Sequence, residues 1–342
     1  MNIVIFKFVQ LGDNVVFLPV VQALRARLPD WRITLLTTPR EAALYAAALP
    51  DSDVLTAPQL RFNSSWQRPW EFVRWFTLVR ARQPDACLVS FDQGNAAHLI
   101  VRHCGAPVRV GARIAHVRIG GSLTHDVPMP ADGRVASWHW AMARALVQAH
   151  GIADWPEAPP APDLSHLIAT HEVPARPRVV IHAGSNQAFT RWPLERFADV
   201  AARLARDGDV VWIDRPETSD AALPPAVQRV SPADLRELVT ILASADLFLG
   251  NNSGPMHLAN ALGRPGVVVS GPTAHGWDPF WQRERWRVLR HPTLPCVPCE
   301  WSERYRLIRD CHLTHDRLAC LRYWTADTVE AACREMLARF AR

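Results

Sequence analysis

The stretch DLFLGNNSGPMHLANALGRPGVVVS, residues 246–270, reads as one βαβ unit: strand Asp246–Gly250, a small polar turn, helix Pro255–Leu262 and strand Gly266–Ser270. Short apolar, β-branched runs alternating with a helical segment are the pattern of a parallel sheet flanked by helices. The turn is as informative as the strands. It sets the free N–H groups of the helix start beside Ser253, with His257 one turn in, which makes a cradle for a diphosphate. A structural histidine at a helix start is the alternative role for His257.

Upstream of this unit lie strand Arg178–His182, helix Pro193–Arg206, strand Asp209–Ile213 and helix Pro232–Ser244, so residues 177–325 read as one Rossmann-like domain. Before them, the run Trp155-Pro156-Glu157-Ala158-Pro159-Pro160-Ala161-Pro162 favours an extended connector, and the linker is placed at 161–176. Residues 1–160 show the same alternation. Their strands are Asn2–Val9, Arg32–Thr37, Ala86–Phe91 and Val108–Gly111, and their helices Asn14–Leu28, Arg40–Ala47, Trp70–Arg82, Ala96–Cys104 and Ala136–His150. The fold class is α/β: two Rossmann-like domains with a ligand cleft expected at the carboxyl ends of their strands. A last helical pattern, Ala326–Phe340 within 326–342, is read as packing back across the first domain.

With 342 residues, 49% hydrophobic and 21% charged, the chain can bury two cores. No stretch reaches the ~18 uninterrupted apolar residues of a spanning helix, and the N-terminus has no basic leader, so the expected place is the cytosol. Seven cysteines, an odd number, argue for reduced thiols rather than a disulfide framework. The net charge of +5 points to an anionic partner. Nucleic acid is disfavoured, because the cations are scattered and no aromatic stacking motif is interleaved with them.

Two further turns carry chemistry. Val9-Gln10-Leu11-Gly12-Asp13-Asn14 ends a strand just before a helix. Asp13 there reads as an N-cap, as a general base, or as both, since the positive helix end favours a carboxylate. The turn has no Gly-x-Gly-x-x-Gly, which disfavours a nicotinamide dinucleotide, and the chain has no Walker-type phosphate loop. The segment His182-Ala183-Gly184-Ser185-Asn186-Gln187-Ala188-Phe189-Thr190-Arg191-Trp192-Pro193 is a polar loop entering a helix, and its hydroxyls and Arg191 suit a phosphate.

In this order, the Gly12-Asp13 turn, the Gly184-Ser185 to Trp192-Pro193 segment and Ser253-Gly254-Pro255-x-His257-Leu258-Ala259 resemble glycosyltransferase family 9, the heptosyltransferases. The resemblance spans Ile3 to about Val329 and implies a GT-B fold, an ADP-heptose-type donor held by the second domain and an acceptor held by the first. It implies that Asp13 is the general base and that Ser185, Asn186 and Thr190 contact the diphosphate. Glu217 is matched to a ribose-binding carboxylate, and Asn252, Ser253, Gly254 and His257 to the second phosphate cradle. Two positions depart from the family: Thr190 stands where Lys is common, with Arg191 as the nearest replacement charge, and Asn252 stands where many members have Asp.

The expected reaction is an inverting, metal-independent transfer that needs no cofactor beyond the ADP-sugar donor. Its acceptor is an anionic glycolipid of the lipopolysaccharide inner core or a related glycan, and the basic balance permits peripheral contact with the inner face of the inner membrane. Arg61, Arg68, Arg113 and Arg118 lie in or near first-domain loops and can receive acceptor carboxylates or phosphates, or else be solvated surface charges. Trp75, in the stripe Trp70 to Phe76, reads as core. Cys296, Cys299, Cys311 and Cys320 begin with a Cys-x2-Cys that suits structural zinc, with free thiols in a folded tail as the alternative. Two other functions fit the same motifs: a non-catalytic sugar-nucleotide-binding homologue, and a GT-B-like sugar-nucleotide epimerase.

Overall fold

Both halves of the chain build the same sheet, strand for strand. The computed structural model describes residues 1–113, 117–170, 174–300, 302 and 310–341. Contacts divide it into units 1–162 and 163–342. In the first, β1 (Asn2–Lys7), β2 (Arg32–Thr37), β3 (Val54–Thr56), β4 (Ala86–Val89), β5 (Val108–Gly111) and β6 (His125–Asp126) pair in parallel in the order β3-β2-β1-β4-β5-β6. Its helices are α1 (Leu11–Arg27), α2 (Gln59–Asn63), α3 (Pro69–Ala81), α4 (Asn95–His103) and α5 (Val135–Gln148).

The second unit has β7 (Arg178–His182), β8 (Asp209–Ile213), β9 (Val227–Val230), β10 (Leu247–Asn251), β11 (Gly266–Val269) and β12 (Trp286–Leu289), paired in the order β12-β11-β10-β7-β8-β9. Its helices are α6 (Leu194–Leu204), α7 (Leu235–Ala243), α8 (Gly254–Ala261), α9 (Ala319–Arg322) and α10 (Ala326–Phe340). Each order is that of a doubly wound dinucleotide-type sheet, which reverses direction between its first and fourth strands. Ligands of such sheets bind at that switch point, outside the carboxyl ends of the strands. Here those ends belong to β1 and β4 in one unit and to β7 and β10 in the other.

Burial follows from pattern. The central strands are apolar throughout: Ile3, Val4 and Ile5 in β1, and Leu247, Phe248 and Leu249 in β10, have no exposed surface. α6 turns Phe197, Val200, Ala201 and Leu204 onto its sheet at i, i+3, i+4 and i+7. Each such large apolar side chain contributes about 1.5–3 kcal/mol.

The prolines after α5 are pinned to their own unit: Trp140 Nε1 donates to the Pro156 carbonyl at 2.7 Å, and Trp155 packs on Trp140 with centroids 4.7 Å apart. Further on, the Ala169 N–H donates to Thr240 Oγ1 of α7 at 2.9 Å.

The terminal helix α10 packs on α6 and the second sheet, where Val329, Ala332, Cys333 and Met336 join the second unit's core. Two expectations are corrected. Helix α1 begins at Leu11 with Gln10 as its cap residue, so Asp13 lies inside the first turn and is not the N-cap. The helix expected at Arg40–Ala47 is a short 3-10 turn, Ala42–Tyr45, drawn inward by the Tyr45 hydroxyl bonding Asn14 Oδ1 at 2.7 Å. Among the described residues no helix is long and apolar enough to cross a membrane.

Candidate functional site

At the switch point of the first unit, the backbone leaves β1 through a turn stitched by Asn14. This buried amide donates to the carbonyls of Val9 and Gln10, both at 3.0 Å, while its oxygen faces Thr37 and Tyr45. Asn14 thereby fixes the turn that carries half-buried Asp13. Tyr45 records the local field: burial, and then the carboxylates of Glu41, Asp92 and Asp13, push its phenol well above the ordinary range.

Beside this turn stands a charge that the sequence reading missed. Lys7 ends β1 with no exposed surface, and its ammonium donates to Asp92 Oδ2 at 2.5 Å, to Ser90 Oγ at 3.0 Å and lies 3.3 Å from His139 Nε2. The rings of Phe17 and Phe91 lie 5.3 and 5.9 Å from the same nitrogen. Burial, and then the Lys7 charge, hold His139 well below its usual value, so the folded imidazole is neutral.

The unfolded chain binds a proton near 6.5 that the folded chain refuses. Stability is therefore expected to fall as pH drops below about 6.5, by up to ~1.4 kcal/mol per pH unit from this one group. Denaturant titrations between about pH 7 and pH 5 should show a shallower slope for His139→Gln. Equal slopes would mean that His139 takes up its proton in the folded state.

The four arginines expected at the acceptor are not equivalent. Arg61 is bound to the Glu71 carboxylate and holds it below its usual range. Arg113 pairs with Asp126 at 3.2 Å. Arg68 caps the start of α3, and the Arg118 N–H donates to Asn95 Oδ1 at the start of α4, with both side chains exposed. Trp75 is core, packed edge-on against Phe62 at 5.5 Å and Phe8 at 5.9 Å. Trp70, from the same stripe, is instead 72% exposed.

The second unit gathers most of its expected residues. Ser185 Oγ and Thr190 Oγ1 are 2.6 Å apart, and Thr190 also donates to the Gln187 carbonyl at 2.7 Å. Arg191 turns Nε and one Nη onto the Ser185 carbonyl at 2.8 and 2.6 Å, so its guanidinium braces the loop. Asn186 is exposed at the loop's tip. Gly184 is closely approached: a Cβ there would meet Glu217 Oε1 at 2.9 Å and the His182 ring at 3.2 Å. That approach places Glu217 against the loop.

Ser253 is the cap residue of α8, yet its hydroxyl makes no capping bond and instead lies 3.4 Å from His182 Nδ1. The cap residue's own side chain therefore leaves the positive start of this helix uncapped. Gly254 opens the helix, and His257 is buried one turn on, edge-on to Trp277.

Asn251, which the sequence reading passed over in favour of its neighbour, is the tie between the two loops. Fully buried, it accepts from the Trp192 N–H at 2.9 Å and donates to the Ala183 carbonyl at 2.7 Å. Asn252 faces the other way, donating to Asp278 Oδ1 at 3.3 Å, and Asp278 is held by Arg290 at 2.6 Å.

All seven cysteines are free. Cys296, Cys299, Cys311 and Cys320 line one small cavity with Phe189 and Leu318. Burial, with neighbouring thiols adding to it, pushes Cys299 up to about 11 and Cys320 up to about 12. Among the described residues no three His, Cys, Asp or Glu side chains are grouped to hold a metal ion.

A sequence profile of glycosyltransferase family 9 (heptosyltransferase) matches residues 73–304. Lipopolysaccharide heptosyltransferase 3 of Escherichia coli is 25% identical over 285 residues, 79% of this chain and 83% of that protein. The E. coli heptosyltransferase WaaC, solved with ADP-2-deoxy-2-fluoro heptose, has a TM-score of 0.70 at 17% identity and covers 98% of this chain and 99% of its own. The E. coli ADP-heptose lps heptosyltransferase II gives 0.71 at 18%, covering 99% of each chain. At such identities the structures speak for the fold, which is the α/β GT-B class.

Proposed function

The chain belongs to glycosyltransferase family 9, the heptosyltransferases, and from that membership we propose an inverting, metal-independent transfer of a heptose or related sugar from an ADP-sugar. The proposed acceptor is an anionic glycolipid of the lipopolysaccharide inner core or a related glycan, reached from the cytoplasmic side. The observation that carries the proposal is the cluster at the second switch point. Ser185 and Thr190 pair their hydroxyls on one loop, and Ser253, with its hydroxyl 3.4 Å from His182 Nδ1, stands at a helix start that its own side chain does not cap. An anion is what such a helix end stabilises best.

In this reading Glu217, against Gly184, accepts from the ribose hydroxyls, and Asn186 reaches the phosphates from the loop tip. Asn252 and His257 flank the second cradle. Asp13 takes the proton from the acceptor hydroxyl, whose oxygen attacks the anomeric carbon on the face opposite the diphosphate. The bond from carbon to diphosphate oxygen breaks, and the departing charge falls on the hydroxyls and N–H groups of the cradle. No general acid is then needed at the leaving oxygen. Arg68 and Arg118 are the exposed cations assigned to the acceptor's anionic groups, while Arg61 and Arg113 are already paired with acids.

Calorimetric titration with ADP, UDP and GDP tests the donor half without the acceptor. Selective ADP binding is expected, weakened about tenfold or more in Ser253→Ala, the cost of one hydrogen bond to a charged group. Preference for UDP or GDP would change the donor, and no binding of any of the three would reject the proposal.

A further inference from the structure

The first unit exposes large apolar side chains in one stretch. Leu60 is 84% exposed, Trp66 41%, Trp70 72% and Val73 57%, all on α2, α3 and the turn between them. They are not overflow from the core, because the same segment spends Phe62, Trp75 and Val79 inward against Phe8. On α3 the exposed positions Trp70, Val73, Arg74, Thr77 and Ala81 recur at i, i+3, i+4, i+7 and i+11, one continuous outer face.

The charge on this segment is one-sided. Residues 59–82 hold five arginines against a single acid, Glu71; Arg61 binds that acid and Arg82 reaches Asp53 at 4.0 Å, which leaves Arg68, Arg74 and Arg80 without an acidic partner among the described residues. Arg74 and Arg80 lie over the rings of Trp75 and Phe76 at 5.5 and 6.0 Å, so their charges stay at the surface while their stems cover aromatic area. Tryptophan at the rim, aliphatic groups beside it and unopposed arginines around both are the composition that partitions into an anionic headgroup layer.

We propose that the outer face of α2 and α3 docks on an anionic phospholipid surface, with Trp66, Trp70, Leu60 and Val73 entering the headgroup boundary and Arg74 and Arg80 meeting lipid phosphates. The inference deepens the proposed function, since a glycolipid acceptor is displayed in such a surface. Its test does not depend on transfer.

The full chain is sedimented with vesicles of phosphatidylcholine alone and of phosphatidylcholine with phosphatidylglycerol, and ADP affinity is measured in parallel. Partition is expected to be roughly tenfold stronger on the anionic vesicles. Trp70→Ser/Val73→Ser is expected to lose about tenfold of that binding, and Arg74→Glu/Arg80→Glu to lose the preference for anionic lipid, both with unchanged ADP affinity. A chain that stays in the supernatant, or variants that bind as the parent does, would overturn the proposal. So would a lipid-free dimer abolished by Trp70→Ser/Val73→Ser, which would assign the face to a second copy of the chain. Loss of ADP binding in the parent would count against the donor reading and leave the vesicle result to stand by itself.

Discussion

Asp13→Asn is expected to lower the turnover of sugar transfer by ~10²–10⁴-fold, the usual contribution of a positioned general base. The amide keeps the size of the carboxylate and cannot accept a full proton. Asn14 holds the turn together through Val9, Gln10, Thr37 and Tyr45, so the fold should survive. Donor affinity should also persist, because the proposed cradle is built from the second unit. Near-normal turnover would remove Asp13 from the chemistry, whereas joint loss of turnover and thermal stability would make it a structural residue of α1.

Lys7→Met is expected to destabilise the chain by about 3 kcal/mol, the lower end for breaking a buried ion pair, because Asp92 keeps some contact with solvent. The methionine fills the space of the lysine stem but leaves the Asp92 carboxylate, which also accepts from Gln93 Nε2 at 2.8 Å, without its cation. Removing both charges, as in Lys7→Met/Asp92→Leu, should regain more than half of the loss, since the larger cost lies in the orphaned charge rather than in the pair. Denaturant midpoints of the three proteins decide it. A change below about 1 kcal/mol in the single variant would mean that water already reaches the pair.

The architecture was legible where strands are buried on both faces. β1, β2, β7, β8 and β10 are runs of Ile, Val, Leu and Phe bounded by turns, a pattern that solvent-facing elements cannot mimic. The sheet edges were not legible. β6 is the two-residue polar strand His125–Asp126, and β9, Val227–Val230, exposes Gln228 and Arg229 at its centre, so neither carries an apolar signal. Lys7 was missed for a related reason: a lysine at a strand end reads as surface, and only its three-dimensional partners make it interior.

The turns that carry the candidate site were legible. Both phosphate-suited loops and the Asp13 turn fall at switch points of their sheets, where strand, turn and helix in sequence foretell an exposed loop. What escaped notice was the support. Asn251 and Asn14 resemble ordinary turn amides, and their roles depend on partners on other strands, Trp192 and Ala183 for one and Tyr45 and Thr37 for the other.

The measurement that bears most directly on the central claim is incubation of the chain with ADP-β-heptose and a deacylated inner-core acceptor, reading both ADP release and the anomeric configuration of the new linkage. ADP is expected to be released in proportion to a heptoside of inverted, α configuration, with almost none of either in Asp13→Asn. A product that retains the β configuration, or ADP released at the same rate without acceptor, would contradict the claim.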